Sequence, residues 1–356
     1  MKILFLAIVI LLSSCASKSQ IGSEPQIVSE AQINTWAHEI NKWMENSKRV
    51  SNIASKILIE GKEYCDKLDH IGPYFGIDFW SKDTFKKKWH TAALSSFGLN
   101  NEVQIHHVHP LSPAYDAGLQ VGDKVVKIND LKIKDQSDYM SALKKNEAKT
   151  FMFTIRRKGE HLDVVIEPLL VCDSKVFLVY DDDNSTIFYS DGEYILIANS
   201  LMPFFSSDEE IALVISHELA HLARNHHTRN SARGWMGALL GFVFQGIIEA
   251  LIGGELETFD DNAPSLEDHG EYLLSKVSVE QEQQADYDGL HLMSMAGYEI
   301  DNLSSTAWNK LERIITIRHS EFFHYKHPKV EDRISRFETV KQEIKEKKQN
   351  GYSLIP

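Results

Sequence analysis

The chain has 356 residues, of which 43% are hydrophobic and 25% are charged, and its formal net charge at pH 7 is −13. This length and apolar content exclude a wholly disordered chain and are sufficient for two modest domains rather than one. The acidic balance argues against nucleic acid as a partner, because binding to a phosphate backbone needs a basic face.

The N-terminus is typical of an export signal. Its sequence, "MKILFLAIVILLSSC", places one lysine before an apolar run and small residues before Cys15. "LSSC" resembles the bacterial lipobox, so we predict a signal peptide at 1–14, a lipid on Cys15 and a polar tether over 15–30. The alternative is an ordinary signal peptide with an incidental cysteine. Residue 16 is Ala rather than the Asp that retains bacterial lipoproteins at the inner membrane, which implies a periplasmic protein at the outer membrane.

Residues 31–69 carry apolar residues at steps of three and four, which predicts one long or two short amphipathic helices. Cys65 lies in this segment and Cys172 lies about a hundred residues later. They are the thiols that remain after Cys15, and in an exported chain two thiols are more often paired than free. We therefore predict a disulfide between Cys65 and Cys172.

Residues 70–170 contain short strand-like runs separated by Gly, Asn and Asp. The stretch "SPAYDAGLQVGDKVVKIND" at 112–130 resembles the PDZ family. "YFGI" at 74–77 lies where the carboxylate-binding loop of a PDZ domain would fall, although an ordinary turn explains four residues equally well. The resemblance implies that a peptide C-terminus or an outer-membrane protein could be a partner.

Three histidines, His106, His107 and His109, lie in the strand-like run "IHHVHP". Side chains alternate between the two faces of a strand, so these rings are not expected to converge on one ion. The pattern favours solvent-facing histidines over a metal site.

A long apolar stretch, "GWMGALLGFVFQGIIEALIGG", occupies 234–254 and includes Gln245 and Glu249. It is long enough to enter a bilayer, but it is polar and rich in glycine for a membrane span. We favour a helix packed on protein or on a membrane surface over a true span.

The segment "SDEE" at 207–210 predicts a helix that begins near Ser207, because a serine followed by Glu three residues later forms a capping box. "HELAH" follows in this helix. His217 and His221 lie one turn apart on one face and can bind one zinc ion, and Glu218 can reach the water in the open fourth position.

A catalytic zinc needs a third protein ligand, and two candidates compete. His227 has the spacing of metzincin sites, but Arg224 replaces the glycine that would turn the chain, and an unbroken helix would carry His227 away. The other candidate is "SVEQEQQADYDGL" at 278–290, where Glu282 would bind zinc. Asp286, one turn later, would accept the N–H of a ligand histidine.

Four motifs in order resemble the gluzincin peptidases, which include the CAAX prenyl endoprotease, HtpX and the periplasmic β-barrel assembly-enhancing protease. These motifs are "HELAH", Glu-x-x-Ala-Asp-x-x-Gly, "AGY" at 296–298 and "HPKVEDRI" at 327–334. The resemblance implies zinc ligands at His217, His221 and Glu282, a general base at Glu218 and a supporting carboxylate at Asp286.

Two further residues receive roles from this resemblance. His327 is a candidate fourth ligand or transition-state donor, and the alternative is a histidine that caps a helix. Arg333 is a candidate for stabilising the oxyanion. Relatives carry an Asn-Ala pair on the edge strand before the zinc helix, whereas this chain has Ile187 and Phe188 at that place.

Together these features predict an α+β chain, with a helical segment at 31–69, a PDZ-like β domain at 70–170 and a mainly helical gluzincin domain with a small sheet at 171–345. The expected function is a cell-envelope endopeptidase with one Zn²⁺ per chain. Its polypeptide substrates would be misfolded or stalled proteins, bound by strand addition near "EYILIAN". The alternative is a latent or inactive protease that acts as a PDZ-mediated, chaperone-like scaffold.

Overall fold

The computed structural model describes residues 28–110, 112–144, 149–179, 188–190, 194–226, 278–303, 307, 310 and 330–356. The predictions for Cys15, 234–254, His227 and His327 fall outside these residues. Within the described ranges, no helix is both long and apolar enough to cross a membrane.

The N-terminal segment forms two helices, α1 (Glu30–Glu60) and α2 (Lys62–Lys67). Helix α1 begins after Ser29, whose hydroxyl accepts a hydrogen bond from the backbone N–H of Gln32. Its apolar residues recur at helical spacing, and Ile40, Val50 and Ile57 are fully buried in the larger of two hydrophobic cores. Helix α1 therefore belongs to the same core as the C-terminal helices.

The chain then forms the PDZ domain. Its strands are β1 (Ile71–Tyr74), β2 (Ile77–Trp80), β3 (Gln104–Val108), β4 (Lys124–Ile128), β5 (Leu131–Lys132), β6 (Phe151–Arg157), β7 (Glu160–Ile166) and β8 (Leu169–Cys172). Its helices are α3 (His90–Phe97), α4 (Pro113–Asp116) and α5 (Gln136–Lys144).

The main sheet of this domain has the strand order β2-β3-β4-β6-β7, with β5 paired to β4. Phe151, Phe153 and Ile155 alternate along β6 and point into the second hydrophobic core. Strand β1 pairs antiparallel with β8 as a separate two-stranded ladder. This ladder joins the point where the chain enters the domain to the point where it leaves.

Cys65 in α2 and Cys172 in β8, the pair expected from the sequence, form a disulfide bond. Both residues are buried, and Cys172 lies directly opposite Ile71 in the β1–β8 ladder. The disulfide therefore closes the base of the PDZ domain, across a sequence separation of 107 residues.

Replacing both cysteines by alanine (C65A/C172A) should lower the free energy of unfolding by about 2–4 kcal/mol, because the crosslink restricts the unfolded chain over a long loop. Urea titration of the oxidised wild type and of the double variant measures this difference. Reduced wild type should unfold at the same urea concentration as the double variant. Equal midpoints for oxidised wild type and variant would show that the crosslink does not form.

The C-terminal half contains a small sheet of β9 (Lys175–Val179), β10 (Phe188–Ser190) and β11 (Tyr194–Ala198), in the order β10-β11-β9. The sequence placed the addition of a substrate strand near "EYILIAN", and most of this stretch forms β11. Strand β11 is central, because it pairs parallel with β9 and antiparallel with β10. Among the described strands, β10 is an edge of this sheet, and it contacts the helix that carries His217 and His221.

The described residues of this half also form the long helices α6 (Asp208–Ala223), α7 (Val279–Met295) and α8 (Val330–Asn350). Helix α6 packs against α1 and α7, and α7 also packs against α8. A PDZ-like sheet domain thus precedes a mainly helical region with a small sheet, and the α+β class predicted from the sequence is confirmed.

Candidate metal centre

Helix α6 carries the first two candidate ligands. It begins after Ser207, whose hydroxyl accepts from the backbone N–H of Glu210, so the predicted start is confirmed. Every residue from Ile211 to Ala223 is buried, because α6 lies inside the larger core. His217 and His221 are one turn apart, and their rings are 4.7 Å apart between centroids.

Helix α7 supplies the third candidate ligand. Ser278 and Gln281 form a capping box at its start, which fixes the register of Glu282. The helix approaches α6 very closely at Gly289, where an added Cβ would lie 3.1 Å from the backbone nitrogen of His217. A glycine at this position therefore lets Glu282 reach the histidines of α6.

The donor atoms of His217, His221 and Glu282 converge on one point. The two Nε2 atoms are 3.1 Å apart, and the carboxylate oxygens of Glu282 lie 3.6 Å from Nε2 of His217 and 3.5 Å from Nε2 of His221. Zinc bonds of about 2.0–2.1 Å in a tetrahedral site place donor atoms about 3.3 Å apart. The spacing and the two-imidazole, one-carboxylate donor set both fit zinc.

Asp286 and Arg333 support His217 on its Nδ1 side, away from the metal point. Nδ1 of His217 lies 3.0 Å from a carboxylate oxygen of Asp286. The guanidinium of Arg333 donates two hydrogen bonds to the same carboxylate, at 2.8 and 2.5 Å. The sequence assigned Arg333 to the oxyanion, but its planar fork is engaged by Asp286. Arg333 therefore positions Asp286, which in turn fixes the His217 ring with Nε2 towards the metal point.

The electrostatics of this cluster favour a positive charge at His217. Burial lowers the pKa of His217, but the hydrogen bond and charge of Asp286, together with the charges of Glu282 and Glu218, outweigh it and raise the pKa. Burial raises the pKa of Asp286, but the charges and hydrogen bonds of Arg333 and His217 outweigh burial. The net effect is a lowered pKa, so the Asp286 carboxylate stays ionised. These negative charges would also favour a metal cation between the two facing Nε2 atoms.

Replacing Arg333 by methionine should weaken zinc binding about 10–100-fold, because the buried Asp286 loses its counter-ion and no longer fixes His217. Competition with a chromogenic chelator measures this affinity. Arg336→Met, an exposed position on the same helix, is the matched control and should bind zinc like the wild type. Unchanged affinity with a lower kcat in the Arg333 variant would instead support the oxyanion role.

His226 is a partner of the site that the sequence analysis missed. The unbroken helix expected beyond Arg224 is wrong, since α6 ends at Ala223 and Asn225 adopts a left-handed conformation with φ of 54°. This turn brings Nδ1 of His226 to 2.9 Å from Nδ1 of His221. His226 is half-buried rather than exposed, and it can accept the Nδ1 proton of His221 and leave Nε2 free for a metal. Asn225 was the available signal, because asparagine is common just after helix ends.

A buried network holds the end of α6 against α7 and α2. Asp288, fully buried, accepts hydrogen bonds from the Arg224 guanidinium and from the Tyr64 hydroxyl, the latter at 2.7 Å. Gln284 donates to its other oxygen at 2.8 Å. Arg224 therefore anchors the turn that positions His226.

Glu218 follows the first ligand in α6 and is buried, with 8% of its surface exposed. Its charge contributes to the raised pKa of His217, which places it close to the metal point. A carboxylate beside a three-ligand zinc site can accept a proton from water and return it to a leaving group. Three donor atoms at zinc spacing beside a buried carboxylate are the elements that metal-assisted hydrolysis requires.

Comparison with known proteins gives matches in both halves of the chain. The model of peptidase family M48 matches residues 161–341, and a PDZ domain model matches residues 73–167. The probable protease eep of Enterococcus faecalis is 38% identical over 68 residues, which cover 19% of this chain and 16% of that protein. The mitochondrial metalloendopeptidase OMA1 of Schizosaccharomyces pombe is 28% identical over 134 residues, or 38% of this chain and 36% of that protein. The matches therefore span little more than a third, or less, of these relatives.

Solved structures match in the PDZ region only weakly. The HtrA3 PDZ domain bound to a phage-derived ligand is 22% identical with a TM-score of 0.24, covering 29% of this chain and 89% of that one. The HtrA-type protease AlgW with a decapeptide is 18% identical with a TM-score of 0.23, covering 28% of this chain and 30% of that one. These scores carry no conclusion beyond the family matches.

Proposed function

This chain belongs to peptidase family M48 and carries a PDZ domain, and from that premise we propose that it is a zinc-dependent endopeptidase of the bacterial cell envelope. The observation that carries the proposal is the convergence of His217, His221 and Glu282 within tetrahedral zinc spacing beside Glu218. His226, Asp286 and Arg333 support this set from outside.

A bound zinc ion would polarise a scissile carbonyl and lower the pKa of a water molecule at the open position. Glu218 would accept a proton from the attacking water and then deliver it to the nitrogen of the departing amine. Asp286 and His226 lie against the Nδ1 atoms of His217 and His221, so both rings can turn Nε2 towards a bound ion, which would take the place of a proton there. The buried surroundings of the site strengthen each of these electrostatic contacts.

The substrate would bind as an added strand on β10 rather than on β11, because β11 already has a partner on each side. Strand β10 contacts α6, so a strand laid along it would pass near the ligands. Phe188, in place of the Asn-Ala pair of relatives, lies in this strand. We propose that unfolded segments of envelope proteins are the substrates, since strand addition requires an extended chain.

The PDZ domain would hold a polypeptide terminus while the metal centre acts. Strand β2 is an edge of its sheet, and Phe79 of β2 packs against Tyr139 of α5, with ring centroids 4.2 Å apart. Gly76, in the "YFGI" loop, has a φ of 76° that a side chain would strain. A groove bordered by β2, α5 and this loop fits the peptide-binding mode of PDZ domains.

The cellular location is proposed from the N-terminal sequence alone. "LSSC" supports acylation of Cys15, and Ala16 supports sorting to the outer membrane. The buried disulfide between Cys65 and Cys172 is in keeping with an oxidising compartment.

The proposed activity is tested with the full chain and an unstructured protein, such as casein, as substrate. Cleavage should stop with a chelator and return with added Zn²⁺. A zinc-loaded chain that binds casein without cleaving it would contradict the peptidase and support the scaffold alternative.

A further inference from the structure

A second group of metal-binding side chains lies between α1 and the PDZ sheet. It consists of Asp78 in β2, His107 in β3 and His109 just after β3. One donor atom from each lies within 4.8 Å of the others. Among the described residues, the only other group of this kind is the His217 site.

A β-bulge brings these three residues together. Asp78 is paired directly with His107, whereas the neighbouring Phe79 is paired with Ile105, so His106 is an extra residue in β3. The bulge breaks the simple alternation of faces that the sequence analysis assumed. The backbone N–H of His109 donates to the carbonyl of Gly76 at 2.9 Å, which holds His109 beside the start of β2. The expectation of solvent-facing histidines was therefore wrong, and His106 and His109 are buried.

His109 directs one nitrogen into a shell of oxygen atoms. Its Nε2 lies 2.8 Å from the Ser51 hydroxyl, 3.2 Å from the Ser55 hydroxyl and 3.4 Å from Oδ2 of Asp78. That carboxylate oxygen is buried and has no hydrogen bond of good geometry, although His109 and Ser51 lie close enough to lower the pKa of Asp78. A ring nitrogen carries one proton or one lone pair, so it can satisfy one of these oxygens at most. A cation near Nε2 would satisfy the Asp78 oxygen as well.

His107 is held in the tautomer that a metal needs. Its Nε2 lies 2.9 Å from Oδ1 of Asn52 in α1, and this amide oxygen can only accept. The Nε2 atom therefore carries the proton, and Nδ1 has the lone pair. The same arrangement, with one nitrogen on an oxygen and the other on the ion, is usual for ligand histidines.

We propose that Asp78, His107 and His109 bind a second zinc-class divalent cation, separate from the hydrolytic centre. Two imidazoles and one carboxylate suit zinc and its first-row neighbours rather than calcium or magnesium. The His109 and Asp78 donors already have the required spacing of about 3.3 Å. The donor atom of the half-buried His107 lies within 4.8 Å of the other two, so its ring has to move inward to match this spacing.

The role of this ion is structural. Asn52, Ser51 and Ser55 belong to α1, whereas the three ligands belong to the PDZ domain. Helix α1 also packs on α6, which carries the hydrolytic site. The ion would therefore fix the PDZ domain on the helix that borders the metallopeptidase core.

The test is a zinc count on the full chain by equilibrium dialysis followed by elemental analysis. Wild type should bind two zinc ions per chain. Asp78→Asn and His107→Gln should each bind one and keep the zinc-dependent cleavage of casein. His161→Ala, an exposed histidine on β7, is the matched control and should bind two.

Glu282→Ala separates this proposal from the proposed function. It should keep one zinc ion, and that ion should be lost when Asp78→Asn is added. Added zinc should raise the melting temperature of the Glu282 variant, but not that of the combined variant. A wild type that binds one ion, or an Asp78 variant that still binds two, would overturn the second site. Neither result would affect the hydrolytic centre. Asp78 and His107 are partly exposed, and each is replaced by a side chain of similar size. Both variants should therefore stay folded, and a lower zinc count would report the loss of a ligand.

Discussion

Replacing Glu218 by glutamine is expected to leave the fold and the zinc content unchanged and to lower kcat for peptide hydrolysis by ~10²-fold or more, the scale of a lost general base. The amide keeps the size of the side chain but cannot take a proton from water. His217, His221 and Glu282 are untouched, so the ion should remain. Steady-state cleavage of a fluorogenic peptide, with zinc measured on the same sample, gives both values.

Glu209→Gln is the matched control for this prediction, because it makes the same change in the first turn of α6, two turns away from the ligands. It should have the activity of the wild type. If Glu218→Gln retained full activity with zinc bound, another group would have to act as the base.

Replacing Glu282 by alanine is expected to remove the zinc ion of the hydrolytic centre and abolish hydrolysis. The two remaining imidazoles cannot hold the ion alone. Removing a residue that only supports a ligand weakens zinc binding about 10–100-fold, and the loss of the ligand Glu282 should weaken it more. Titration with zinc in competition with a chelator measures it. Glu280→Ala is the control. It removes an exposed carboxylate two residues earlier on α7, and this variant should bind zinc like the wild type.

His227 is the competing third ligand, and its variant decides between the two assignments. His227→Ala should keep zinc and activity, because Glu282 already lies 3.5–3.6 Å from both histidine nitrogens. Zinc lost with His227 and retained without Glu282 would show that the site is metzincin-like.

The ligand set was predictable because its signals are local. Ser207 and Ser278 mark the starts of two helices, and the spacing of His217, His221 and Glu282 then follows from helical geometry. What the residues alone left open was whether His227 or Glu282 is the third ligand, and the family resemblance implied Glu282. The close approach at Gly289 decides that, and it depends on the packing of α6 against α7.

Several contacts of the site depend on features beyond local pattern. Arg333 reaches Asp286 from a helix 47 residues away in sequence, and no periodicity reports such a contact. His226 meets His221 because Asn225 turns the chain after α6, where the sequence predicted an unbroken helix. His106 is an extra residue in β3, so His107 and His109 do not lie on the faces that simple alternation predicts. The bulge that causes this has no clear sequence signature here.

The sheet that borders the site shows the same limit. The apolar run of β11 fits a strand buried on both faces, but its neighbours are set by the pairing of β9 and β10 on either side. Strand order is a non-local property, so the edge available for a substrate could be assigned only from the structure.

An anomalous difference map at the zinc absorption edge, from crystals of the full chain, shows directly which residues bind zinc. We expect a peak about 2.0–2.2 Å from Nε2 of His217, Nε2 of His221 and a carboxylate oxygen of Glu282, with the fourth position open to water. A peak with His327 as a fourth protein ligand would indicate a closed, structural or latent site. A zinc-loaded crystal without a peak between these three residues would show that the proposed hydrolytic centre is wrong.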